Sequence, residues 1–134
     1  MIYPQTVIYA LEALCHLARL SPKAYHKVKD ISSELDIPPH FLGKILTQLV
    51  RKKLIVSSKG PTGGVALAKA PGRITIQDVL KALDAQDILD DKCILGLEEC
   101  SDHASCPFHK EWARFKKGIA SVAGKTTLKQ LAEK

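Results

Sequence analysis

The hydrophobic period of this chain changes once from helical to alternating, and that change narrows the folds open to it. From Pro39 to about Lys53 apolar residues recur at helical spacing, which predicts a helix with Phe41, Leu42, Ile45, Leu46 and Leu49 on its buried face. His40, Lys44, Gln48 and Arg51 fall at i, i+4, i+8 and i+11, so they share the opposite face. Directly afterwards, Leu54-Ile-Val-Ser-Ser and Val65-Ala-Leu-Ala read as two short strands. Between them lies Lys59-Gly-Pro-Thr-Gly-Gly64, whose glycines permit positive φ angles and close backbone approach to a partner.

The helices upstream complete a pattern. Pro4 suits a first helical turn, and Val7, Leu11, Leu14 and Ala18 then form an apolar stripe that ends at Ser21-Pro22. A short helix is expected over 29–35, with Val28, Ile31 and Leu35 facing inward, and Asp36-Ile-Pro-Pro forms the turn into the next helix. Two helices joined by a turn and followed by a β-hairpin make a winged helix-turn-helix. The expected fold is therefore mainly α with a small β-hairpin. Residues 1–84 form the winged helix-turn-helix, 85–106 a cysteine-bearing loop, and 107–134 a long C-terminal dimerisation helix and tail. Thr75-Ile-Gln-Asp78 resembles a capping box and opens a helix that buries Ile76, Val79, Leu80 and Leu83.

Charge is distributed unevenly. Residues 1–88 and 110–134 each carry a net charge of +5, whereas 89–109 carry −4. From Pro38 to Lys69 there are six basic residues and no acid. Such a block beside hydroxyl and amide groups suits a polyanion, here double-stranded DNA. His40, Lys44 and Gln48 are candidates for base edges, and Arg51 and Lys52 for phosphates. Lys59, Pro61 and Thr62 at the wing tip are candidates for the minor groove or the backbone. No apolar run approaches a membrane span, and the start lacks signal-peptide regions, which places the protein in the cytoplasm, off the membrane. No nucleophile–base pair or phosphate loop points to an enzyme.

Four cysteines divide into two kinds. Cys15 lies mid-helix between Leu14 and Leu17 and reads as a small core residue. Cys93, Cys100 and Cys106 crowd into an acidic stretch without periodicity, and His109 follows three residues after the last. Three thiolates and an imidazole suit an iron–sulfur cluster. They also suit a structural zinc site, and free thiols are the plain alternative. Cys106 precedes Pro107, at or near the expected start of the final helix, where a helix N-terminus would lower its pKa. His103 is a weaker ligand candidate, and His16 and His26 read as surface or structural. Along the final helix Trp112, Phe115, Ile119 and Val122 are spaced three, four and three, as in a dimerising seam.

The phrases Ile37-Pro-Pro-His-Phe-Leu-Gly-Lys-Ile-Leu, Lys59-Gly-Pro-Thr-Gly-Gly-Val-Ala-Leu-Ala and Ile74-Thr-Ile-Gln-Asp-Val-Leu, with the cysteine triad, resemble the Rrf2 family of bacterial transcription regulators over nearly the whole chain. The resemblance implies a homodimer whose last helices cross, and iron–sulfur sensing of iron status, nitric oxide or oxidants. It favours 2Fe–2S over 4Fe–4S, with His109 as fourth ligand, because no acid precedes Glu12 early in the first helix. Zinc, or thiol chemistry without a cluster, remains the alternative. The chain departs from the family in a six-residue first cysteine gap, in Gly43-Lys44 on the recognition helix and in Lys59 on the wing, so no operator sequence carries over.

Overall fold

The computed structural model describes residues 3–21, 23–88 and 107–134. Its elements run α1 (Gln5–Arg19), α2 (Val28–Leu35), α3 (Pro39–Arg51), β1 (Ile55–Ser58), β2 (Gly64–Leu67), a 3-10 turn (Pro71–Arg73), α4 (Ile76–Ala82), α5 (His109–Lys125) and α6 (Leu128–Ala132). Among the described residues the fold is mostly helical with one two-stranded antiparallel hairpin, a winged helix-turn-helix as the sequence implied.

Helix α1 is the hub. It packs against α2, α3, α4, α6 and β2, which explains why its buried face is wider than the expected stripe. Val7, Ala10, Ala13, Leu14, Cys15 and Leu17 are buried, while Leu11 and Ala18 sit at the margin. The alanines let neighbouring helices come close. Cys15 is 7% exposed, as expected of a core residue. Burial pushes its thiol pKa up, and Arg19 one turn on offsets part of that rise. The folded state therefore holds the neutral thiol. The contribution of this group to stability is complete below the ordinary thiol pKa and is lost as pH climbs through the raised value. Urea melts in the alkaline range should show a steeper loss for the native chain than for Cys15→Ala. Peptide mapping after brief iodoacetamide exposure should find Cys15 unmodified.

The turn of the helix-turn-helix is fixed by local hydrogen bonds. Asp36 takes the left-handed conformation (φ 53°) that ends α2. The Ile37 N–H donates to the Ser32 carbonyl (3.1 Å), and the buried Ser32 hydroxyl donates back to the Ile37 carbonyl. Pro38 and Pro39 then start α3, since proline suits a first helical turn. Leu42, Ile45, Leu46 and Leu49 bury as expected. Phe41 does not: it is 54% exposed, because at about 100° per residue it stands at the edge of the face that those four residues bury. The helix ends at Arg51 rather than Lys53, with Lys53 in the left-handed region (φ 65°) and the Leu54 N–H returning to the Leu49 carbonyl.

The wing is held on both edges of β2. Ile55 pairs with Leu67 and Ser58 with Gly64. On the other side His26 exchanges backbone bonds with Val65, at 2.9 and 2.8 Å. Gly63 and Gly64 are sterically required. A Cβ on Gly63 would overlap the Ser58 carbonyl, and one on Gly64, at φ +143°, would overlap the His26 carbonyl.

The C-terminal residues are more than the expected tail. Thr127 caps α6 with a capping box completed by Gln130, the counterpart of Thr75 and Asp78 on α4. Leu128 is fully buried in the same core as α1 and α3. Two backbone bonds join the segments: Leu128 N–H to the Ile74 carbonyl (2.9 Å) and Ile76 N–H to the Thr126 carbonyl (3.0 Å). The Arg19 guanidinium donates to the Ala132 and Leu131 carbonyls at the end of α6 (3.1 and 3.5 Å). Ile76 and Leu83, expected inside, are half-buried beside Ala123 of α5 in a second, smaller apolar cluster.

Candidate nucleic-acid interface and ligand segment

On α3 the outward residues Pro39, His40, Gly43, Lys44, Thr47, Gln48 and Arg51 line a shallow concavity of about 590 Å³. The fold brings together the expected His40, Lys44, Gln48 and Arg51, and Lys52 is exposed just beyond the helix end. Gln48 has a second attachment. It is half-buried, and its side-chain amide donates to the Ala82 carbonyl at the end of α4 (3.2 Å). One donor of this expected base-edge residue therefore ties α3 to α4.

Two residues of this face were not singled out as contacts. Thr47 is exposed and donates its hydroxyl to the Gly43 carbonyl (2.8 Å). It lies seven residues after His40, a spacing that puts it on the same face. At Gly43 a Cβ would meet nothing within 4 Å, so the floor of the concavity is open backbone. At the wing tip Lys59, Gly60, Pro61 and Thr62 are all exposed, on a turn closed by the Gly63 N–H to the Gly60 carbonyl (3.0 Å).

The ligand candidates divide. Cys93, Cys100 and Cys106, with His103, lie outside the described residues. His109 is half-buried and is the first residue of α5, with Phe108 as N-cap. The helix was expected to begin at Pro107, with Cys106 at or near its cap. Residues 107–108 form a turn, and the helix N-terminus belongs to His109. Among the described residues no three His, Cys, Asp or Glu side chains are grouped to hold a metal.

The four residues of the expected dimer seam differ in exposure. Phe115 is 66% exposed, Val122 is exposed and Ile119 is half-buried, but Trp112 is only 7% exposed and packs within its own chain. Tyr3, Ile76, Arg114, Phe115, Gly118, Ile119 and Val122 surround an apolar hollow of about 550 Å³ between α5, the start of α4 and the N-terminal residues. Among the described residues no helix is long and apolar enough to cross a membrane.

Comparison with known proteins agrees with this architecture. The chain is 38% identical over 134 residues to a protein of Aquifex aeolicus described as a candidate HTH-type transcriptional regulator, covering 98% of this chain and 91% of that one. It is 29% identical over 125 residues to the HTH-type transcriptional regulator IscR of Xenorhabdus nematophila, covering 93% and 75%. Its fold matches CymR, the global cysteine regulator of B. subtilis, with a TM-score of 0.79 at 24% identity, covering 98% and 95% of the two chains. It matches T. potens IscR with a TM-score of 0.74 at 21% identity, covering 98% and 85%. Residues 3–134 fit the family model described as Rrf2, iron-dependent transcriptional regulator; the chain belongs to the Rrf2 family and is a DNA-binding transcription regulator rather than an enzyme.

Proposed function

We propose that this regulator is a cytoplasmic homodimer that reads DNA through α3 and the wing, and that an iron–sulfur cluster held by Cys93, Cys100, Cys106 and His109 governs its binding. The reading rests on one observation: the four candidate ligands fall on, or at the end of, the single connection between α4 and α5. Their chemistry fits, since thiolates are the preferred ligands of such clusters and a histidine can replace one of them. A 2Fe–2S cluster is the form favoured. When bound, the group supplies a redox-sensitive centre.

The chain's own residues give α5 a route to the reading helix. His109 heads α5. At the other end of α5 the Thr126 carbonyl accepts from the Ile76 N–H at the start of α4, and the end of α4 accepts from Gln48 of α3. A shift of α5 thereby reaches α3 through two hydrogen-bonded joints. His40 and Lys44 stand for base edges, with Gln48 at their margin, while Arg51 and Lys52 lie on phosphates. Lys59, Pro61 and Thr62 approach the minor groove or backbone. A second copy covers Phe115, Ile119 and Val122, an apolar face of a kind that marks an interaction site when it stays exposed. Two reading helices must then lie about one DNA turn apart, roughly 34 Å, to meet adjacent half-sites.

Anaerobic purification tests the proposal. The expected product is coloured, contains iron and acid-labile sulfide, and scatters light as two 14.7 kDa chains; Cys100→Ala is colourless. A colourless protein with stoichiometric zinc would move the reading to a zinc-stabilised repressor, and one with neither metal to a thiol-based repressor. A particle of single-chain mass would refute the dimer.

A further inference from the structure

Phe41 is the only exposed large hydrophobic residue on α3, although its spacing predicts burial. It belongs to the first turn of the helix, between His40 and the buried Leu42. Its ring meets that of His40 edge to face, with centroids 6.3 Å apart and planes at 67°. At about 100° per residue it lies beside the basic face, one turn before Lys44 and two before Gln48.

A solitary aromatic ring among cations and polar groups is too small a patch to dock a protein, whose interfaces need about 800 Å² per partner. It is well matched to a single apolar group on a polyanion. In the DNA major groove the thymine 5-methyl is that group, and apolar side chains recognise it. The residues at the N-terminal end of a recognition helix are the ones that reach base edges. The edge-to-face contact with His40 favours this placement of the ring before binding, which lowers the ordering cost on contact.

We infer that Phe41 is a specificity residue that reads thymine methyl groups beside the basic face of α3. This rests on α3 being the reading helix. The test uses the tightest duplex selected from a randomised pool, with its thymines replaced one at a time by deoxyuridine, which lacks only the methyl. The native chain should lose on the order of fourfold in affinity at one or more positions, the value of one buried carbon. Phe41→Ala should bind the unmodified duplex weaker by a similar factor and show no further loss at those positions. Phe41→Leu should keep part of the discrimination, and circular dichroism should show both variants folded. Equal sensitivity to deoxyuridine in the native chain and in Phe41→Ala would assign the methyl to another residue and overturn the inference. So would a native chain indifferent to every replacement. A pool from which nothing is enriched would instead overturn α3 as a reading helix, and this inference with it.

Discussion

Replacing Arg51, Lys52 and Lys59 together by alanine is expected to weaken duplex binding on the order of 500-fold at 0.1 M monovalent salt. Each phosphate contact releases counterions and contributes a slope of about −0.9 in log affinity against log salt. Removing one contact at 0.1 M therefore costs about eightfold, and three contacts multiply. All three side chains are exposed, and no acid lies near them in the sequence between Pro38 and Lys69. None is part of the buried core, so the variant should melt where the native chain does. Titration by fluorescence anisotropy at several salt concentrations gives both quantities. The slope should become shallower by about 2.7, whatever duplex is used. An unchanged slope would mean that these cations do not lie on the DNA backbone. A loss confined to one duplex sequence would make them readers of bases.

The largest effect on folding should come from a single methyl group. Gly64→Ala places a side chain at φ +143°, a backbone region that L-residues rarely adopt, and drives its Cβ into the His26 carbonyl. The obstructing atom is backbone, and it is bound to the Val65 N–H at 2.8 Å, so it cannot yield alone. Relief requires breaking the bridge between His26 and Val65 or the pair between Ser58 and Gly64. Val65 and Leu67 would then leave the core that they share with Leu14 and Leu49. The expected cost exceeds about 4 kcal/mol, beyond the usual range for a point substitution. That is a large part of the 5–15 kcal/mol that holds a domain of this kind together. Thermal melts and the yield of folded protein measure it. Gly60→Ala, at φ +100° but in open space, should cost far less. Equal losses at the two positions would show that the close approach to His26 does not matter.

Much of the reading head was legible because local rules and tertiary packing agree there. The periodic apolar residues of α3, the proline start, the glycine-turned wing and the Thr75 cap each act over a few residues, and each forms where expected. Burial was harder to read wherever it depends on distant partners. Phe41 has an apolar side chain, but at about 100° per residue it stands at the edge of the face that Leu42, Ile45, Leu46 and Leu49 bury, where spacing alone leaves burial undecided. Gln48 has the chemistry of a base reader, and only the fold brings the Ala82 carbonyl to it. Trp112 fits a heptad with Phe115, Ile119 and Val122, yet burial separates it from them. The helix α6 escaped notice because five residues give too little periodicity, though Thr127 and Gln130 carried the capping signal that Thr75 and Asp78 also carry. Of the four ligand candidates only His109 lies within the described residues, so that part of the site rests on spacing and donor chemistry.

Thr75 and Thr127 are paired across an antiparallel bridge, so everything between them leaves from and returns to one point. Because the entropy of closing a loop rises by only about 0.6 kcal/mol for each doubling of its length, residues can be added or lost in that excursion at little thermodynamic cost. The knot at its neck remains the same. A chain built on this plan can change the length and the donor atoms of the segment between α4 and α5 while the helix-turn-helix and the wing keep their shape.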